Sequence, residues 1–159
     1  MAAEKSLRGR VESAATALDT ALRVSIATHG TDSEALRRPI AAALQSCLKR
    51  LAATDCWGPA NRVPSSRLWN IAGNQLRFGA LQRDAREKPL GYAGDFRLLD
   101  RICRKAVTDH PVGQAMDWFF QDQAAPRAVR NRARLVATAI RQLVERRPDE
   151  PVSIASIGS

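Results

Sequence analysis

Histidine and cysteine are scarce, with two of the first and three of the second in 159 residues. His29 and His110 stand far in sequence from Cys47, Cys56 and Cys103, and no CxxC occurs. The ligand spacing of a zinc site is missing, so no metal is expected. An odd cysteine count with wide spacing makes a poor disulfide framework. Cys47 falls on the apolar face of a predicted helix and reads as a buried thiol. No HExxH, P-loop or Ser/His/Asp set is present, so nucleophilic and metal catalysis lack a constellation and no catalytic residue is assigned. No run approaches the roughly 18 apolar residues of a membrane helix. The N-terminal segment Met1–Arg10 lacks the apolar core of a signal peptide. A soluble cytoplasmic chain without a membrane span is expected. Acidic residues are in the minority, 16 against 25 Lys and Arg, which gives a net charge of +9. Nearly all of the excess is arginine. That balance permits nucleic acid, anionic lipid or an acidic substrate as partner without choosing among them.

With 45% hydrophobic residues, the chain can bury a core. Leu7, Val11, Ala14, Leu18, Leu22 and Ile26 recur at helical spacing over 4–28. Gly30 is placed as a C-terminal cap. Thr31 and Glu34 form a capping-box pattern for a second helix, whose stripe runs from Leu36 to Leu51. An antiparallel helical hairpin follows from the tight turn between them. Residues 55–65 are rich in breakers and read as a loop. A third helix is predicted from near Ser65, with Leu68, Trp69, Ala72, Leu76 and Leu81 inward. Residues 84–94 are polar and glycine-rich. A helix from Asp95 carries Phe96, Leu99, Ile102 and Cys103 as its stripe, and His110-Pro111 breaks it. A short helix spans Gly113–Gln121. A last helix begins near Pro126, with Val129, Ala133, Val136, Ile140, Leu143 and Val144 on its apolar face. Val152–Gly158 reads as a β-strand entering a glycine-rich turn.

Four segments are candidates for function. Gly91 and Gly94 flank Tyr92-Ala93, and Asp95 follows. The bland reading is a glycine turn with Asp95 as an N-cap. The sharper one is a loop over a ligand, with Tyr92 giving a hydroxyl and ring face and Asp95 a carboxylate. Arg127, Arg130, Arg132, Arg134, Arg141, Arg146 and Arg147 make the last helix basic. They read either as a solvated face or as a phosphate-binding stripe, but no aromatics interleave for base stacking. Trp118-Phe119-Phe120 reads as core, with Trp118 turned away towards a groove. The terminal strand reads as the entry to a doubly wound sheet, or else as a disordered tail or an edge strand of a helical domain.

Taken together, Lys88-Pro89-Leu90-Gly91-Tyr92-Ala93-Gly94-Asp95, Ala125–Arg132 and Val152–Gly158 resemble the front part of bacterial class I S-adenosylmethionine-dependent methyltransferases. One group that it resembles makes 3-hydroxypalmitic acid methyl ester, the extracellular factor. Its members carry a helical N-terminal region, a KPxGYAGD-type motif, an arginine-bearing helix and then a glycine-ended strand. The resemblance covers roughly residues 65–159. It implies a mainly α fold: a helical cap of about five to six helices over 1–147, then the first strand of a Rossmann-like domain over 151–159. It also implies that the chain is cut at the threshold of the cofactor loop and is inactive alone. By this resemblance Tyr92, Gly94, Asp95 and Gly158 lie at the S-adenosylmethionine site, and Gly91 and Trp118 at the substrate. The methyl acceptor would be a small molecule of fatty-acyl type, and nucleic acid is not expected as a partner. A basic nucleic-acid-binding module and a helical protein-interaction domain are the competing expectations.

Overall fold

A computed structural model of the chain describes residues 2–92, 95–146, 151 and 153. Seven α-helices follow in order: α1 Ala2–His29, α2 Ser33–Ala52, α3 Arg62–Leu76, α4 Ala80–Glu87, α5 Phe96–Cys103, α6 Pro111–Gln121 and α7 Ala124–Glu145. One 3-10 turn, Gly58–Asn61, leads into α3. The mainly helical class is as expected, with seven helices among the described residues instead of five to six. There is no strand among the described residues. The expected strand, with Gly158, falls almost wholly outside them, as does Gly94.

The α1–α2 hairpin forms where the sequence places it. Gly30 takes the left-handed conformation at φ 58°, and its N–H returns to the Ile26 carbonyl at 2.8 Å. The cap of α2 sits one residue later than the Thr31 expected. Asp32 Oδ1 accepts from the Glu34 and Ala35 amides, each at 3.0 Å. A carboxylate there also meets the positive end of the helix dipole, which a threonine hydroxyl does not exploit. α3 packs along α1 and α6 along α2. Leu18 and Leu22 of α1, Leu36 and Ile40 of α2, Leu76 of α3 and Met116 of α6 are buried in the resulting core. Burial of each such side chain contributes about 2–3 kcal/mol.

α4, α5 and α7 form a smaller layer attached through α6. Here the structure corrects several expectations. The stripe from Leu68 to Leu81 is split: α3 starts earlier, at Arg62, and ends at Leu76, and Leu81 belongs to α4. Residues 84–87, the start of the polar, glycine-rich stretch, complete α4, which is capped by Lys88 in the left-handed conformation. α5 starts after its Asp95 cap as expected, yet of its stripe only Ile102 is buried, while Phe96 and Cys103 are exposed. α5 is two turns long and packs chiefly on α4 and α7, so few of its positions can be covered. α6 begins at Pro111, before Gly113, because Pro111 suits the first helical position and His110 Nδ1 caps it from behind.

α7 begins two residues before Pro126 and is docked at its start only. Val129 and Arg130 are half-buried, and every residue from 131 to 139 is exposed. Its apolar face exists, but Val136, Leu143 and Val144 stand open to solvent.

Candidate functional site

The turn between α4 and α5 carries the densest motif of the sequence. Lys88 and Gly91 both have positive φ, 48° and 85°, and the Gly91 amide closes the turn on the Lys88 carbonyl at 2.7 Å. Glycine adopts that geometry at no steric cost, whereas lysine at such a φ is strained and needs its surroundings to hold it. Asp95 supplies part of that hold. Its side chain is 1% exposed. Oδ1 accepts from the Leu98 amide at 3.0 Å and Oδ2 from the Leu90 amide at 3.4 Å. One carboxylate thus caps α5 and ties the start of the turn to it. Tyr92, next to this anchor, is 51% exposed. The structure therefore separates two residues that the sequence grouped: Asp95 faces inward to backbone amides and Tyr92 faces outward.

Replacement of Asp95 by alanine should lower stability by about 1–2 kcal/mol, as expected for loss of an N-cap together with an orphaned amide. Asparagine keeps one acceptor oxygen and should recover much of the loss. Thermal melts of the two variants provide the check. Unchanged melting in the alanine variant would remove the anchoring role.

Behind the turn lies a frame of buried polar groups. Asp84 of α4 accepts from Arg101 Nε of α5 at 3.2 Å. Gln121 of α6 donates to the carbonyls of Arg101 and Ala106, at 3.2 and 3.3 Å. Arg130 of α7 donates to Gln121 Oε1 at 2.8 Å and to the Gln121 carbonyl at 2.7 Å. Asp117, fully buried on α6, accepts from the amides of Ala80, Leu81 and Thr108. The frame fixes the α4–α5 turn against the main core. Burial pushes the Asp117 carboxyl above the ordinary aspartate value, while these amides and Arg101 pull it back in part. Asp84 and Asp117 were not singled out from the sequence. The signal was there for Asp117, a lone acid within the apolar run Ala115–Phe120. Such a residue is retained in a core only with partners.

The other candidates resolve differently. Trp118 is half-buried beneath the Arg37 guanidinium, 4.8 Å from its ring centroid. Phe119 and Phe120 are also half-buried and meet edge to face at 5.1 Å. The cluster is part of the protein body and not an open patch. Arg130 is structural. Arg127, Arg132, Arg134, Arg141 and Arg146 are exposed along α7. Burial pushes the Cys47 thiol up, which makes it inert, whereas Cys103 is exposed. No group of His, Cys, Asp and Glu among the described residues could hold a metal ion. No helix among them is long and apolar enough to cross a membrane.

Of the four residues expected at S-adenosylmethionine, the structure describes Tyr92 and Asp95. Gly94 and Gly158 lie outside the described residues. Both Asp95 oxygens are engaged by backbone. Among the described residues of that set, Tyr92 has an exposed side chain, and Gly91 offers a bend and no side chain. Comparison with protein-family models, with curated proteins and with solved structures found no match.

Proposed function

We propose that this chain is the helical N-terminal part of an S-adenosylmethionine-dependent methyltransferase, a cap that covers and shapes a substrate site completed by a downstream α/β domain. The observation that carries the reading is the Lys88–Asp95 turn. Its sequence resembles the methyltransferase motif, and among its described residues Asp95 is anchored inside and Tyr92 is presented outside. The uncovered apolar face of α7 gives further support. A helix that leads towards the next domain is a natural place for that domain to pack. No methyl-transfer step is assigned to the described residues. Their part is to position an acceptor and exclude water while the other domain holds the cofactor.

The test is to express the chain extended through its downstream coding sequence and measure S-adenosylmethionine binding by calorimetry. The extended protein should bind with a dissociation constant on the order of 10 μM, and the 159-residue chain should not bind measurably. Tyr92→Ala in the extended protein should lower methyl transfer about tenfold, with its fold intact. An extended chain that binds no S-adenosylmethionine would overturn the proposal.

A further inference from the structure

A second region owes nothing to the Lys88–Asp95 turn. Where the helical hairpin meets α3, Val11, Leu48, Leu51, Trp57, Pro64 and Leu68 line a cleft of about 180 Å³. A space of this size and apolar character admits a group as large as a benzene ring. Asn61 and Ser65 belong to its wall, and both also belong to the wall of a more open cleft of about 380 Å³ next to it. The second cleft is lined by Arg62, Ser66 and Arg86. One space is greasy, its neighbour is cationic, and they share a boundary.

The cationic side is short of counterions. Glu12 is taken by Arg8 at 2.8 Å and Arg67 at 3.2 Å. Asp84 is taken by Arg101 at 3.2 Å and approached by Arg83 at 3.7 Å. Glu87 pairs with Arg77 at 3.6 Å. These acids on the neighbouring α1 and α4 are occupied, and among the described residues neither Arg62 nor Arg86 has an ion-pair partner. Arg86 is nonetheless placed. Its guanidinium carbon stands 5.8 Å from the centroid of Trp69, and its two terminal nitrogens lean on Ser65 Oγ and Ser66 Oγ at 3.5 and 3.4 Å. A hydroxyl that accepts from arginine has its own proton left to donate.

We propose that the two clefts form one binding site for a phosphate monoester of a small apolar group. The apolar group enters between Leu48, Leu68 and Trp57, and the phosphate lies on Arg62, Arg86, Ser65 and Ser66. Two guanidinium forks and two hydroxyls offer more donors, in more directions, than the two coplanar oxygens of a carboxylate can use. A tetrahedral dianion with three free oxygens matches them. The apolar cleft then discriminates between an esterified phosphate and the free ion.

Phenyl phosphate, inorganic phosphate and phenol serve as probes on the full chain, titrated by NMR or calorimetry. Phenyl phosphate should saturate with a dissociation constant of about 1 mM or below, roughly tenfold tighter than either inorganic phosphate or phenol. Arg62→Ala and Arg86→Ala should each weaken it about tenfold, and Ser66→Ala about threefold, while exposed Arg38→Ala leaves it unchanged. Melting curves confirm that these surface variants are folded, and Ser66→Ala carries the test should an arginine variant prove unstable. Cys56 lines the apolar cleft and reports occupancy independently. Phenyl phosphate should slow its alkylation by iodoacetamide without protecting exposed Cys103. Equal affinity for phenyl phosphate and inorganic phosphate would mark a bare anion site and overturn the proposal. So would affinity indifferent to Arg62 and Arg86, or a Cys56 labelling rate unaffected by the probe. None of these results bears on adenosylmethionine binding by an extended chain.

Discussion

Asp117→Ala should cost about 4 kcal/mol and lower the melting temperature by roughly 10 °C, among the largest losses available to a single side chain here. The carboxylate is fully buried and accepts from the Ala80 amide at 3.2 Å, the Leu81 amide at 2.9 Å and the Thr108 amide at 3.1 Å. It therefore caps α4 from another helix and also ties down the 104–110 connection. Alanine leaves three backbone donors without an acceptor, those of Ala80 and Leu81 buried and that of Thr108 part-buried, and each buried donor costs about 1–3 kcal/mol. Asp117→Asn should be milder, because one acceptor oxygen remains, but its amide group faces donors and cannot replace the second oxygen. A titration separates this role from simple packing. With the folded carboxyl raised above its unfolded value, the native state holds a proton where the unfolded chain has lost it. The residue's titration-linked stability is thus complete below about pH 4, the unfolded aspartate value, and is lost as pH rises through the folded value. The stability gap between the wild-type chain and Asp117→Asn should be widest in acid and narrow over that window. Denaturant melts across the acid range check it. A gap independent of pH would mean that Asp117 does not titrate above its unfolded value.

The same residue explains where the sequence could and could not be read. The helices closed by local devices were legible: Gly30 ends α1, Asp95 starts α5, and Pro126 lies in the first turn of α7. Each is a contact within a few residues, which periodicity and capping rules capture. The break between α3 and α4 was not legible, because the apolar stripe runs through it and its cap comes from Asp117, 36 and 37 residues away. Nor could the sequence reveal that Phe96 would be exposed or that Val136, Leu143 and Val144 of α7 would be uncovered. An amphipathic pattern states which face is apolar and leaves open what lies against it. At the candidate turn, the glycine and capping chemistry was readable, and the division of labour between Asp95 and Tyr92 needed the fold.

Gly113→Ala should be as damaging as loss of Asp117, for a steric reason that no sequence pattern discloses. Gly113 lies in the first turn of α6, against the backbone of the 77–79 segment that joins α3 to α4. A Cβ built on it would stand 2.0 Å from the Phe78 carbonyl oxygen and 2.6 Å from its carbon, with Thr108 Cγ2 at 2.5 Å. Real contacts of this kind do not occur, and backbone atoms cannot rotate aside as a side-chain tip can. Phe78 is held from both directions, by the Gln75 carbonyl that its amide reaches at 3.2 Å and by the His110 ring stacked on it at 4.1 Å. The helix must instead shift away from the 77–79 segment. That movement pulls Asp117 off the α4 amides and Met116 out of the core, so one methyl group disrupts both the polar frame and the packing. The expected loss is about 3 kcal/mol or more, at the upper end of overpacking effects. The comparison is Gly73→Ala, where the nearest contact is a movable Trp69 ring atom at 3.2 Å. There the helix keeps its place and gains helix propensity of about 1 kcal/mol, which offsets much of the strain. Chemical denaturation of the two variants side by side provides the measurement. If Gly113→Ala unfolds no more easily than Gly73→Ala, then α6 does not approach the Phe78 backbone as closely as the structure has it.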